Sequence, residues 1–326
     1  PSALKVFMFA FLLACFRLGM EGFLGWRSGG LVWENQGIMR LHGSIPILEH
    51  PNSFSGFGVC LLPFIYYLFP QVSKVYKSLL LLLLVFALVI IIFTGSRAGY
   101  VATFGFIGFA VYKSKYRVKV ATSFIVILII SFPFIPEQYI ERFESIYSSK
   151  EKEGNSKEAR INILKDSLHI FLDNPFGVGV AAFPTVREQY FGKKQDTHNL
   201  YFEVLTNLGI QGFIVFIILI WKLFMTISNN EKELKLIKSR APPKNTNEGG
   251  SFYVAGNIIS QIDFCLAISH AVKAYIIVRL FLGLFGMDLY EIYWWIAIGL
   301  TLSIRTISQT ITALTNSHIK DTSQHN

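Results

Sequence analysis

Residues 78–93 read SLLLLLLVFALVIIIF, an uninterrupted apolar run without a single charge. Such a run is typical of a helix in the hydrocarbon core of a bilayer, which takes about 20 residues to cross. The rest of the chain has the same character. Of its 326 residues, 52% are hydrophobic and only 16% are charged, whereas soluble domains carry about 25% charged residues. This composition excludes a disordered chain and indicates a protein solvated largely by lipid.

Seven further apolar runs accompany residues 78–93, and together they predict eight membrane spans. The eight runs are 3–16, 53–69, 78–93, 98–112, 120–135, 210–227, roughly 254–284 and 292–304. We therefore expect an all-α fold, a polytopic bundle of transmembrane helices. The first run lacks the charged region and cleavage site of a signal peptide. Because it begins next to Pro1, we interpret it as a span of a chain whose earlier helices are missing.

Basic residues in short loops predict which ends of the spans face the cytoplasm. They concentrate in segments 70–77, 113–119 and 228–250, the last with the pair Pro242–Pro243. If every apolar run spans the membrane once, these three segments all lie on the same side, the cytoplasmic one. The formal net charge of +9 is therefore explained by membrane topology, and nucleic acid is not predicted as a partner.

The same topology divides the chain into three parts. They are N-terminal transmembrane helices (1–135), an extracytoplasmic loop with amphipathic helices (136–209), and C-terminal transmembrane helices with a cytoplasmic tail (210–326). Within the loop, a flexible segment ends at Gly154 and Asn155, and Ser156 caps a helix. The apolar face of this helix is predicted from side chains at helical spacing: Ile161, Leu164, Leu168, Phe171 and Leu172.

After Pro175 ends this first loop helix, Gly177 and Gly179 predict a turn. A second loop helix is predicted to open at Asp196 and Thr197, with His198 as its first residue, and to run to a break at Gly209.

Polar side chains recur at four places where the chain is expected at the outer membrane face. These are Glu49-His50-Pro51-Asn52, Thr94-Gly95-Ser96-Arg97-Ala98-Gly99, Arg160, and Asp196 to Glu203. Arg97 stands out because a charge between two spans is costly unless it reaches an interface or a polar cavity. An arginine beside a helix N-terminus favours phosphate through its fork geometry and the free backbone donors. The alternative is a snorkelling arginine that only anchors the hairpin.

Among the histidines, His198 is the strongest candidate for proton transfer. A helix N-terminus disfavours the imidazolium, so the ring is expected to be neutral and able to accept a proton. Asp196 or Asn199 is a candidate to orient it. The alternative is a surface histidine that happens to begin a helix.

Other titratable and thiol groups give weaker signals. His270, Lys273 and Arg279 lie in a long apolar run, where ionisable side chains suggest either function or an interface. The cysteines, which stand far apart in apolar stretches, predict neither a disulfide framework nor a metal site. They are Cys15, Cys60 and Cys265. Phosphate chemistry would therefore depend on arginines, and no metal or cofactor is predicted.

The order of these motifs resembles the O-antigen ligase/polymerase family. The resemblance covers roughly residues 40–305. It is carried by His-Pro-Asn at 50–52, Thr-Gly-Ser-Arg-Ala-Gly at 94–99, Arg160 in a long outer loop, Asn-Pro-Phe-Gly-Val-Gly at 174–179, Asp-Thr-His-Asn-Leu-Tyr at 196–201 and Leu-Gly-Ile-Gln-Gly at 208–212. Family members usually have more N-terminal spans than this chain.

This resemblance implies a glycosyltransferase of the membrane-embedded GT-C type at the periplasmic face of the bacterial inner membrane. Its donor would be a glycan on undecaprenyl diphosphate, and its acceptor lipid A–core or a growing polysaccharide. The family's conserved residues imply catalytic roles for Arg97, Arg160 and His198. Further residues are assigned to substrate binding: His50, Asn52, Ser96, Asn199 and Arg279. We expect direct, inverting displacement, with O-antigen ligation onto lipid A–core as the leading reaction.

Several alternatives share these features. A polysaccharide polymerase or a protein O-oligosaccharyltransferase would use the same arginine and histidine chemistry on another acceptor. A lipid-linked glycan flippase or a small-molecule transporter also suits eight spans, but the sequence lacks the internal repeats that are usual in transporters. A catalytically inactive scaffold would leave the order of the motifs unexplained.

Overall fold

The computed structural model describes residues 2–35, 37–145, 156–240 and 249–324, and most of these are helical. The helices are α1 (Ser2–Ser28), α2 (Pro51–Leu68), α3 (Lys74–Phe93), α4 (Arg97–Lys113), α5 (Arg117–Ser131), α6 (Glu137–Glu144), α7 (Ser156–Asp173), α8 (Phe183–Phe191), α9 (Leu200–Arg240), α10 (Gly249–Leu282) and α11 (Ile292–Gln324). Short 3₁₀ turns lie at Pro46–Leu48, Phe69–Gln71 and Phe132–Phe134. An antiparallel hairpin of β1 (Val32–Asn35) and β2 (Ile38–Leu41) follows α1. The predicted helical membrane protein is confirmed, and the hairpin is the departure from an all-α chain.

Each of the eight predicted spans coincides with a helix, but the helices differ in their capacity to cross a bilayer. Within the described residues, five helices are long and apolar enough: α1, α2, α3, α9 and α10. Helices α4 and α5 have 17 and 15 residues, which give about 25 Å and 22 Å at 1.5 Å per residue. The hydrocarbon core is about 30 Å thick. The long α11 is too polar to meet the same standard.

The helices run alternately between two ends of the bundle. At one end the N-termini of α2 and α4 meet the turn before α9 and the segment after α10, and together they line one pocket. At the other end the Tyr66 hydroxyl donates to the Ala110 carbonyl at 3.3 Å, and Lys273 Nζ donates to Ser228 Oγ at 3.1 Å. The basic segments 70–77 and 113–119 belong to this second end, away from the pocket.

Helix α2 lies at the centre of the bundle, with 72% of its most apolar stretch buried. Small residues allow its neighbours to approach closely. A Cβ on Gly58 would stand 3.2 Å from the Ala87 carbonyl oxygen of α3, and a Cβ on Gly99 of α4 would stand 2.0 Å from Ser55 Oγ. These crossings bring the start of α4 against the first turns of α2.

The apolar face predicted for α7 is not the face that packs against the rest of the protein. Ile161, Leu168 and Leu172 are exposed, whereas Ile163 and Ile170 are buried against Phe183, the first residue of α8. An ion pair holds the same two helices together, since Arg187 Nη2 lies 2.8 Å from Asp166 Oδ2. The tertiary partner, rather than the number of apolar residues on a face, therefore decides which face of α7 is buried.

Other loop predictions are confirmed. Helix α7 ends at Asp173, two residues before Pro175, and Gly177 and Gly179 both have positive φ. Helix α9 is kinked at Gly209, where φ is 69° and ψ is −172°. The predicted flexible segment around Gly154 and Asn155, and the pair Pro242–Pro243, lie outside the described residues.

Candidate active site

The hairpin between α3 and α4 is built by three consecutive residues. Gly95 has φ of 58°, and a Cβ there would stand 2.8 Å from Ile38 Cδ1, so glycine is required. Ser96 caps α4, because its Oγ accepts the Gly99 N–H at 3.3 Å. Arg97 is then the first residue of α4. The sequence-based placement of Arg97 at a helix N-terminus is confirmed.

Beneath this hairpin lies Arg40, which the sequence did not single out. It is only 1% exposed. Its Nε donates to the Thr94 carbonyl at 2.6 Å, Nη1 to Asn35 Oδ1 at 2.9 Å, and Nη2 to Asn52 Oδ1 at 2.6 Å. The side-chain oxygen of Asn52, predicted to bind substrate, is therefore used to hold Arg40 in place.

Three more arginines surround Arg40. Arg142 Nε donates to the Gly95 carbonyl at 3.3 Å. Burial, followed by the charges of Arg142, Arg97 and Arg160, lowers the pKa of Arg40 to about 9. Arg40 thus remains cationic at neutral pH. We call Arg40, Arg97, Arg142 and Arg160 the arginine cluster. The charges of the other three arginines act on Arg40, and cations gathered at one end of the bundle favour an anion there.

His50 lies at the same end and caps α2, since its Nδ1 accepts the Asn52 N–H at 3.1 Å. Burial, with the nearby charges of Arg40, His198 and Arg160, lowers its pKa to about 4. The ring is therefore neutral, and because Nδ1 is an acceptor, the proton is on Nε2. His50 can donate a hydrogen bond to a ligand but is poorly suited to act as a base.

His198 precedes α9 instead of beginning it. Its φ is 48°, in the left-handed region, and α9 starts at Leu200. Asn199 caps the helix, with Oδ1 accepting the N–H groups of Tyr201 and Phe202 at 3.0 and 3.1 Å. Its Nδ2 donates to the Leu284 carbonyl at 3.1 Å. The Asn199 amide, predicted to bind substrate or to orient His198, is thus used for helix capping and for tethering to the end of α10.

The His198 ring is neutral, as predicted, but the main cause is burial and not the N-terminus of a helix. Burial lowers the pKa of His198 most, and the charge of Arg160 lowers it further, while Asp196 opposes the shift. Within the described residues no group hydrogen-bonds to the His198 ring. A neutral imidazole is therefore available to accept a proton from a bound ligand.

One cavity of about 140 Å³ joins several of these residues. Its lining includes five of the eight predicted site residues: His50, Asn52, Ser96, His198 and Arg279. Arg97 and Arg160 act on the groups around it through their charges, and Asn199 lies directly beside His198. His270 and Lys273 lie nine and six residues before Arg279 on α10, and they face the opposite end of the bundle.

The far wall of the cavity is acidic and was not predicted. Asp288 and Glu291 line it together with Arg279. Arg279 pairs with Asp288, each 5% exposed, and the guanidinium stacks 3.7 Å from the centroid of the Tyr293 ring. Asp288 therefore balances the charge of Arg279. We call Asp288 and Glu291 the acidic wall.

Two glycine-rich motifs interlock and fix the loop against α9. Val178 N donates to the Thr206 carbonyl at 2.9 Å, and Ile210 N donates to the Pro175 carbonyl at 2.9 Å. A Cβ on Gly209 would stand 2.3 Å from the Phe176 carbonyl carbon, so the contact is backbone against backbone. The motifs at 174–179 and 208–212 thus serve to dock the loop that carries Arg160 onto α9.

Taken together, the fold and the site define a helical membrane protein with a histidine-containing pocket near a cluster of arginines at one end of its bundle. Residues 82–217 match the model of the family described as O-Antigen ligase. This stretch contains Arg97, Arg160 and His198, and its similarity to the O-antigen ligase family confirms the resemblance. The match supports a membrane enzyme of the ligase/polymerase type. No curated protein matches the chain.

Proposed function

We propose that this protein transfers a glycan from undecaprenyl diphosphate to an acceptor hydroxyl, and that it is an O-antigen ligase with lipid A–core as acceptor. The supporting observation is the arginine cluster beside two neutral histidines at one pocket. A lipid diphosphate carries its negative charge at the membrane surface, and the cluster lies at an end of the helical bundle. Membrane lipid is the remaining partner.

In the proposed mechanism the arginine cluster binds the diphosphate and stabilises it as it leaves. The acceptor oxygen attacks the anomeric carbon, the bond from that carbon to the diphosphate breaks, and the diphosphate departs with the electron pair. Negative charge grows on the leaving group in the transition state, so preorganised cations lower the barrier. A single displacement inverts the anomeric configuration, and no step requires a metal or cofactor.

The proton of the acceptor hydroxyl goes to His198 in this proposal. His198 lines the pocket and is neutral, whereas His50 Nδ1 already accepts a hydrogen bond. His50, with its proton on Nε2, instead donates to a donor oxygen. The two histidines therefore have different roles although they share a cavity.

We further propose that the pocket faces the periplasm from the bacterial inner membrane. The basic segments lie at the opposite end of the bundle, and positive loops stay in the cytoplasm. The native thiols, Cys15, Cys60 and Cys265, are buried, so single cysteines introduced at Lys193 and Lys115, both exposed, are suitable probes. In intact spheroplasts, a membrane-impermeant maleimide should label Lys193→Cys and spare Lys115→Cys. The reverse pattern would contradict the orientation.

The acceptor is tested by the lipopolysaccharide of a deletion strain. For a ligase, lipid A–core should lack polymer while undecaprenyl-linked polymer accumulates, and a plasmid copy of the gene should restore ligation. Core that bears one repeat unit would instead indicate a polymerase. Normal lipopolysaccharide with unglycosylated protein would indicate a protein O-oligosaccharyltransferase, and cytoplasmic trapping of the lipid-linked glycan would indicate a flippase.

A further inference from the structure

Two buried polar atoms, one on Asp288 of the acidic wall and one on Arg279 beside it, lack a hydrogen-bond partner among the described residues. Asp288 is 5% exposed and lines the cavity. Its Oδ2 accepts from Arg279 Nη2, whereas Oδ1 and Arg279 Nε have no hydrogen-bond partner in the part of the chain that the structure describes. Nearly all buried polar groups are satisfied. A buried carboxylate oxygen left open beside a cavity therefore indicates a donor that arrives with a ligand.

The charge of this wall indicates which kind of ligand supplies that donor. A diphosphate is disfavoured because Asp288 and Glu291 are both acidic and Arg279 is already neutralised by Asp288. Hydroxyl groups satisfy both open atoms, since they donate to a carboxylate oxygen and accept from a guanidinium N–H. Phe285 and Tyr293 contribute aromatic surface to the same cavity. A few convergent polar groups among apolar and aromatic side chains suit a small polyhydroxylated molecule.

We infer that the acidic wall is the acceptor subsite and that Asp288, Arg279 and Glu291 bind hydroxyls of the acceptor sugar. This inference rests on the proposed function and divides the site into two halves. The arginine cluster holds the anionic donor on one side, and the acidic wall holds the neutral acceptor on the other. His198 lines the same cavity and receives the proton of the attacking hydroxyl.

The inference is tested by direct binding to the full-length protein in nanodiscs. The probes are undecaprenyl diphosphate, deacylated lipid A–core oligosaccharide and a soluble oligosaccharide of the O-antigen repeat. Glu291→Gln should weaken binding of an oligosaccharide by about 10- to 100-fold, the range for a hydrogen bond to a charged group. Undecaprenyl diphosphate should bind as before. Asp288→Asn, which keeps the shape beside Arg279, should show the same selectivity.

The matched control is Glu188→Gln on α8, because Glu188 is half exposed and pairs with Lys194 outside the pocket. It should change neither affinity. Thermal unfolding of each variant separates lost folding from lost binding.

Equal weakening of all probes by Glu291→Gln, or unchanged oligosaccharide binding by both variants, would overturn the inference. A parent protein that binds undecaprenyl diphosphate but neither oligosaccharide would overturn it while leaving the donor half of the proposed function. Binding of no probe would overturn both.

Discussion

Replacing Arg97 by lysine should reduce glycan transfer about 100-fold or more, although the positive charge is kept. Arg97 begins α4 and belongs to the arginine cluster. A guanidinium fork binds two phosphate oxygens at once, and lysine provides only a point charge. Loss of one preorganised donor to the developing charge typically costs about 10²–10³-fold in rate. The measurement is in vitro transfer by purified protein from a native undecaprenyl-diphosphate-linked glycan.

Arg117→Lys is a close control for this substitution. Arg117 is also the first residue of a helix, α5, but it lies at the opposite end of the bundle and stacks on Tyr112. It should retain parental activity. A snorkelling anchor would tolerate lysine at either position. Near-normal transfer by Arg97→Lys, at normal protein level, would therefore favour the anchoring role and remove Arg97 from the donor site.

The sequence predicts Arg97 and misses Arg40 for a physical reason. The turn glycine, the cap and Arg97 lie within a few consecutive residues, so local rules specify their geometry. Arg40 is held by acceptors from three separate segments, and its bond to the Thr94 carbonyl joins positions 54 residues apart. The sequence shows only that Arg40 is an arginine in a predicted outer segment. No neighbouring residue indicates that its side chain turns into the protein.

Arg279 can likewise be recognised from the local sequence, whereas Asp288 can be recognised only from a tertiary contact. An arginine in an apolar run is conspicuous, whereas Asp288 follows that run in a short connection and becomes notable only through its contact with Arg279. The role of Asn199 also depends on tertiary structure, because its amide reaches Leu284 on a distant segment. Sequence order therefore identified the proposed donor side of the site better than the proposed acceptor side.

Replacing His198 by alanine should cripple transfer while donor binding survives. General-base assistance is typically worth about 10²–10⁴-fold in rate, and His198 is the pocket histidine whose ring remains free to accept a proton. Substitution of Arg160 should behave differently, weakening binding of undecaprenyl diphosphate as well as turnover. The control is His169→Ala, since His169 is exposed on α7 and pairs with Asp173. That variant should transfer at the parental rate.

The pH profile of the reaction distinguishes a general base from a histidine with a purely structural role. Burial and the charge of Arg160 lower the pKa of free His198 below the ordinary 6.5, so kcat/KM should stay level as pH falls through 6.5 and decline only below it. A bound diphosphate neutralises nearby positive charge and raises the pKa of His198. The acid limb of kcat should therefore lie at higher pH than that of kcat/KM. The residual activity of His198→Ala should lack this limb. If that variant instead transfers at the parental rate across pH 6–8, histidine has no part in the chemistry, and the loop before α9 serves only to cover the bound donor.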